Sequence, residues 1–384
     1  MINKIIIFSW IFCSFFACQK INIKQKEENS GLDNVAEQSS ISAVPDSAHG
    51  ELKKHFSKYI NIISKNGLPI HILAQSGVSD NKIYKVVDVL KFYLQNYPST
   101  YGSLKSEIAN KMAKNKATLY LFDDEHRGEK AIEKTKNVNL NYQVIYAEEI
   151  MVDGSQDYIN NVFRDATFEE VLHLVQDYGI AEILPEYQRQ IRTAAEASIA
   201  KGYWISVMIP EWEREGSIET EYLATILDVY YGFWQNSVND IAFNGEYFFS
   251  SREALKLGDP DGYALINEQF IPPYLDYEVS IHNDFNGQFR MEYDTSSRYT
   301  TKSQYLSDIR LTGNNNSSIK QNRYDNYLIG NSGENKVYYT GNWETYSINL
   351  GNPAVIIDLV EHRDGTDTLE SIEFLVFADT TISN

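Results

Sequence analysis

Helical spacing of apolar residues runs through this chain only as far as Trp234. Beyond Tyr305 it gives way to short strand-like runs divided by glycine and asparagine. A chain that changes period in this way is neither one helical bundle nor one sandwich. It predicts an α+β protein, with a mixed sheet and helices first and a small all-β, roll-like module last. In the first part, residues 68–74 read as a strand and 80–95 as a helix with Ile83, Val86, Val87, Leu90 and Leu94 on one face. A helix is expected over 103–114, a strand over 117–122, a charged loop after it, a strand over 142–150 and a helix over 167–178. From 186 to 234 the pattern is helical, broken between Gly202 and Gly216. The expected partition is a first folded part over 51–243, an aromatic-rich extension over 244–304 and a β-rich module over 305–384.

Ahead of these lies sequence of another kind. Met1 to Lys4 supplies a positive start, and residues 5–17 form an apolar run shorter than the roughly 20 residues a membrane-spanning helix needs, the pattern of a secretory signal over residues 1–17. The run ends at Phe15-Phe16-Ala17-Cys18, which resembles the lipobox of bacterial lipoproteins, where a small residue precedes a cysteine that is lipidated and becomes the new N-terminus. Ala17 and Cys18 fit that pattern; Phe15 and Phe16 stand where the family has smaller residues. The resemblance implies a lipid at Cys18, a membrane as partner and a place in the bacterial cell envelope. Ordinary secretory cleavage near Ala17 is the plainer reading. Residues 18–50 are polar and aperiodic, so a flexible tether is expected there. The two cysteines, Cys13 and Cys18, both lie too early to staple a fold.

Lysine and arginine number 34 against 53 acidic residues, a net charge of −19, which argues against a nucleic-acid partner gripped by charge. No G-x-S-x-G elbow, Walker loop or dinucleotide glycine fingerprint is present, and no cysteine beyond Cys18 offers a thiol nucleophile. Glycosidase-type carboxylate pairs stay open, because so many acidic residues always permit some pair.

The chemistry concentrates near residue 170. In Asp165-Ala-Thr-Phe-Glu-Glu-Val-Leu-His-Leu-Val-Gln176, Glu169 and His173 are four apart and Glu170 is three before His173, so one side of a helix can carry all three. A structural reading stands beside this one. Thr167 and Glu170 have capping-box spacing, and His173 between leucines suits a hydrogen-bonded core histidine.

The segment resembles the H-E-x-x-H helix of zincin metallopeptidases, whose two histidines bind zinc and whose glutamate activates water at the metal. Here Glu169 replaces the first histidine, leaving E-E-x-x-H. The resemblance implies a zincin-like fold over 51–243, a peptide or protein substrate, Glu169 and His173 as ligands of a divalent metal, zinc foremost, and Glu170 as the base. A carboxylate in place of histidine weakens the preference for zinc over harder ions. In the glutamate-type zincins the third ligand comes from a later helix. Here Glu221, on a stripe with Thr225 and Asp228, is the candidate, and Glu219 its rival. The stretch 68–234 is also similar to secreted bacterial proteins of unknown function that carry this altered helix. Tyr178, Tyr222 and Trp212 are further pocket candidates, each as well suited to packing.

Residues 311–342 resemble the glycine-rich calcium-binding (RTX-type) repeats of bacterial secreted proteins, and 356–379 the segment that often follows them. Gly330-Asn-Ser-Gly333-Glu-Asn335 departs from G-G-x-G-x-D at its second glycine and at the aspartate that supplies a calcium oxygen, which counts against calcium there. Asn and Gly otherwise mark tight turns of a β-roll filled by Leu328, Val337, Tyr339, Tyr346 and Ile348, with Asp364 and Asp367 expected to bond their own turn. Two functions follow: an anchored metal-dependent peptidase, or an anchored binding or scaffolding protein on the same framework without a working site.

Overall fold

The computed structural model describes residues 35–384 apart from 38–39, 161–163, 236–241, 276, 278, 292–301 and 304, so the signal segment and Cys18 lie outside the described residues. The first sheet has five strands, β1 (Val35–Glu37), β2 (Lys58–Ser64), β3 (Pro69–Ala74), β4 (Ala117–Phe122) and β5 (Asn141–Tyr146), in that spatial order. β1, β2 and β3 pair antiparallel, whereas β3, β4 and β5 run parallel. β1 and the Ser42–Tyr59 bridge draw the later part of the expected tether onto the sheet, because the edge of β2 offers it unpaired backbone groups.

Both faces of the sheet are covered. α1 (Gly50–His55) and α4 (Glu125–Thr135) close one face over Tyr59, Leu73, Tyr120 and Phe122. On the other, α2 (Asp80–Leu94) and α3 (Lys105–Lys114) pack on Ile60, Ile62, Ile70, Ile72, Leu119 and Leu121. Burial on two faces explains why β4 is a continuous apolar run instead of an alternating one. α4 replaces the expected charged loop. Asp124 caps it by accepting the Arg127 N–H at 2.9 Å, and its buried side is only Gly128, Ala131 and Thr135, too small to register as an apolar stripe.

The helical half follows, with α5 (Gln156–Asn160), α6 (Thr167–Val175), a wider π turn at Gln176–Ile180, α7 (Ala181–Ile183), α8 (Pro185–Ala200), α9 (Ile209–Glu215), α10 (Ile218–Tyr230), α11 (Arg252–Gly258) and α12 (Pro260–Ile266). α9 lies inside the expected break. α6 is central: its apolar side, Phe168, Val171, Leu172, Leu174 and Val175, is fully buried, and it packs against α2, α10 and β5.

The C-terminal part is a roll of stacked coils. β6 (Val279–Ile281), β8 (Asp308–Leu311), β10 (Asn326–Ile329) and β14 (Thr366–Glu370) pair in parallel in one sheet. β7 (Gln288–Arg290), β9 (Ser318–Lys320), β11 (Lys336–Tyr338) and β15 (Phe374–Val376) do so in the other. Lys336 pairs with Ser318 and Tyr327 with Asp308, so these turns of the coil take 18 and 19 residues. The antiparallel hairpin of β12 (Tyr346–Asn349) and β13 (Ala354–Asp358) is inserted before the last coil, and β16 (Thr381–Ser383) closes the second sheet. The roll therefore begins near residue 279 and not at 305, and its core is continuous with that of the helical half.

Inside the roll, Leu328 and Val337 are fully buried and Tyr339 and Tyr346 nearly so, while Ile348 is half-buried on the inserted hairpin. Asp364 and Asp367 bond across coils and not within their own turn: Asp364 accepts from Thr340 N and Oγ1 and from the Tyr346 hydroxyl, and Asp367 accepts from Asn326 N. In the degraded repeat, Asn335 Nδ2 donates to Ser317 O and to Asn331 Oδ1, and Gly333 N–H donates to that same Asn331 oxygen, so side-chain amides tie this turn to its neighbour.

Candidate metal centre

The start of α6 is held by a buried ion cluster. Lys85 of α2 lies 2.5 Å from Asp165 Oδ2 and 3.3 Å from Asp153 Oδ2, while Asp165 Oδ1 accepts the Thr167 N–H at 3.2 Å. The capping box suggested by Thr167 and Glu170 does not form. Ala166 is the cap residue, and Glu170 is turned toward the site instead. With five apolar residues of α6 committed to the core, Glu169, Glu170 and His173 occupy its remaining side, facing β5 and α10.

α10 supplies the third carboxylate. Tyr222, Ile226 and Val229 bury one side of this helix, which turns Glu221 toward α6. Glu169, His173 and Glu221 each offer a ligand atom, and these atoms all lie within 4.8 Å of one another. Together they can hold a metal ion. The rival Glu219 pairs with Arg192 at 3.7 Å and stays out of the group.

His173 is 6% exposed. Its Nδ1 lies 3.5 Å from Glu170 Oε2, and its Nε2 is buried without a hydrogen-bond partner. A buried ring nitrogen left bare is costly, and one nitrogen held by a carboxylate with the other bare is the usual state of a metal-binding histidine awaiting its ion. Gln143 of β5 donates to Glu170 Oε2 at 2.5 Å and fixes that carboxylate from the sheet edge.

Arg164, just before α6, bridges the two helices. One guanidinium nitrogen contacts Glu169 Oε2 and the other lies 2.6 Å from Asp228 Oδ2 on α10. No motif marks Arg164 or Gln143 in the sequence; an arginine preceding an acidic helix and a glutamine in a strand are both commonplace. Asp228 lies on the stripe of Glu221 and is bonded to Arg164.

These contacts set the charges. Burial disfavours the His173 imidazolium, yet the hydrogen bond and charge of Glu170, with the fields of Glu169 and Glu221, outweigh it and push His173 up to about 9. Burial, reinforced by Glu169 and Glu170, raises Glu221 to about 7 against the opposing pull of His173 and Arg164. Burial also acts to raise Glu169, but Arg164 and His173 overcome it and hold that carboxyl below its ordinary value. Without a metal ion the centre therefore keeps its carboxylates apart with one arginine and one protonated histidine. A divalent ion would take over the histidine's share of that work.

The aromatic candidates have structural places. The Tyr222 hydroxyl donates to Asp259 at 2.7 Å in the core, Trp212 stacks on Trp204, and Tyr178 donates to Tyr142 O at 3.2 Å beside β5. No helix among the described residues is long and apolar enough to cross a membrane. No protein-family model matches the chain, and no curated protein matches it either.

Proposed function

We propose that this chain is a metal-dependent hydrolase of the zincin-like kind, acting on peptide bonds and anchored to the bacterial envelope through a lipid at Cys18. The observation that carries the reading is the convergence of ligand atoms of Glu169, His173 and Glu221 from two helices, at a histidine that keeps one buried ring nitrogen without a partner. One histidine with two carboxylates is a donor set that fits zinc and, with its harder oxygens, also other divalent ions. When bound, such an ion polarises a scissile carbonyl and makes water more acidic.

The chain's own residues supply the rest. Glu170 accepts the proton of the attacking water and returns it to the leaving amine, with Gln143 fixing the carboxylate from β5. Glu170 also steadies the His173 ring through Nδ1, so one carboxylate serves ligand orientation and proton transfer together. Arg164 keeps Glu169 ionised and in place.

One observation favours the second reading, an anchored binding protein on the same framework. Arg164 already pairs with both Glu169 and Asp228, so part of the cluster's charge is met within a plain ion network. Metal content decides between them. The full chain, purified in detergent without chelator or histidine tag, is expected to carry about one zinc or similar ion per chain, lost in His173→Ala. Peptide hydrolysis is expected to fall with Glu170→Gln while the metal stays. A folded chain that neither carries nor takes up zinc leaves the binding protein.

A further inference from the structure

The buried side-chain atoms that lack a hydrogen-bond partner gather in two main places. One is the centre described above. The other is inside the roll, where Gln321 Oε1 and Nε2 and Asn326 Oδ1 are bare and the Tyr339 hydroxyl and Asp367 Oδ2 have no partner but each other. These four residues are 1%, 1%, 6% and 0% exposed.

Coil stacking puts them in one layer. Tyr338 of β11 pairs with Lys320 of β9, so Tyr339 and Gln321 follow side by side at the ends of neighbouring strands. Asn326 of β10 pairs with Asp367 of β14, and its N–H donates to Asp367 Oδ1 at 3.2 Å. The chain leaves β9 and turns straight into β10, so the end of one sheet faces the start of the other across the interior. Alternation confirms the inward direction: Ile319 and Gln321, Val337 and Tyr339, Leu328 and Asn326, and Leu369 and Asp367 are buried in step. The next layer is wholly apolar. In this layer Gln321 and Asn326 each keep an atom without a partner.

Among the described residues Asp367 has no cation paired with it. Burial, with the charges of Asp364 and Asp325, pushes its carboxyl well above the ordinary carboxylate range against the opposing hydrogen bonds of Tyr339 and the Asn326 backbone, and none of these groups is basic. Arg363 is spent on Asp358, at 2.5 Å, and Asp364 is already satisfied by Thr340 and Tyr346. A fully buried carboxylate with no cation beside it is among the most expensive groups a fold can carry.

We propose that this layer is a binding site for one alkali-metal cation, held by Asp367 Oδ2, Asn326 Oδ1, Gln321 Oε1 and the Tyr339 hydroxyl. An all-oxygen donor set selects a hard cation. Its single carboxylate selects a single charge, because a divalent ion here would leave a net positive charge in an apolar interior. The site lies within the roll between its sheets. It is distinct from the glycine-rich turn at 330–335, whose amides are already engaged.

The test is thermal unfolding of the full chain, as wild type and as His173→Ala so that the other centre is silent, at one ionic strength in sodium, potassium, calcium or choline chloride. The expected result is a saturable rise in Tm of several degrees in sodium or potassium over choline, present in both chains and absent in Asp367→Asn. Gln321→Leu, which keeps the packing volume, is expected to raise the half-saturating concentration at least tenfold, and it carries the test if Asp367→Asn does not fold. Equal Tm in alkali and choline salts would mean that the layer holds water or a neutral carboxyl, and would overturn the proposal. So would stabilisation by calcium alone, or an alkali-metal response that survives both substitutions.

Discussion

Gln143 and Glu170 meet across 2.5 Å, joining the edge strand of the sheet to the helix that carries the candidate centre. The contact is independent of the three ligands, yet it fixes the oxygen that faces His173 Nδ1 at 3.5 Å. β5 thus acts as a rail along which the base and, through it, the histidine are aligned.

Replacing Gln143 with leucine is therefore expected to leave metal stoichiometry near that of the wild type. Metal affinity or peptide hydrolysis should fall by about 10- to 100-fold, the usual effect of removing a group that orients a ligand. Titration with a competing chelator and initial rates read the two quantities separately. Unchanged affinity and rate would show that Glu170 needs no support from the strand.

Arg164→Ala removes the guanidinium shared by partly buried Glu169 and buried Asp228, leaving Asp228 without its cation and Glu169 with His173 alone. The expected cost is about 3 kcal/mol in the metal-free protein, the range measured when one partner of a buried ion pair is removed. Urea unfolding checks it. Added zinc should recover part of the loss, because an ion at Glu169 restores the missing charge.

His71 of β3 provides a pH test away from the centre. Burial, with a smaller contribution from Lys116, holds its pKa below the ordinary 6.5, and its Nδ1 is 2.9 Å from the Tyr59 hydroxyl. The unfolded chain takes up a proton at His71 as pH falls through 6.5 and the folded chain resists it. Stability at this site is thus intact above 6.5 and declines below. His71→Gln is expected to flatten that part of the profile, seen as a smaller difference between unfolding midpoints at pH 5.5 and 7.5. A mutant profile parallel to the wild type would show that His71 does not contribute.

Gly330 is the tightest point in the coil stack, where an added Cβ would lie 1.8 Å from Ser371 O and 2.4 Å from Asn335 Oδ1. Gly330→Ala must push two coils apart, and a loss of about 1 to 3 kcal/mol is expected from overpacking of this kind. The urea midpoint should drop while metal stoichiometry at Glu169, His173 and Glu221 is unchanged. A neutral substitution would mean that the last coil is only loosely stacked.

The α+β class, the strand at 117–122, the helix starting at Asp80 and the pairing of Glu169 with His173 were all legible in the chain, because each rests on a period of a few residues. Side chains four apart on a helix share a side whatever the helix packs against. β2 was not legible: Ile60 and Ile62 face one core and Tyr59 the other, so no alternation of polar and apolar residues marks the strand. The same holds for α4, whose buried side is made of residues too small to form a stripe, and for the first coil of the roll, which lies within the aromatic-rich extension.

What tertiary structure alone decided was which distant groups meet. Glu219 and Glu221 are alike in sequence, and only the seating of Tyr222, Ile226 and Val229 in the core sends Glu221 to His173 and leaves Glu219 to Arg192. Arg164 reaches Glu169 and Asp228 together, Gln143 reaches Glu170, and Gln321 is stacked beside Tyr339, through contacts between elements far apart in the chain. Local periodicity determines what one element presents; the rotation and register at which two elements pack determine what it touches, and these follow from the shape of the whole core.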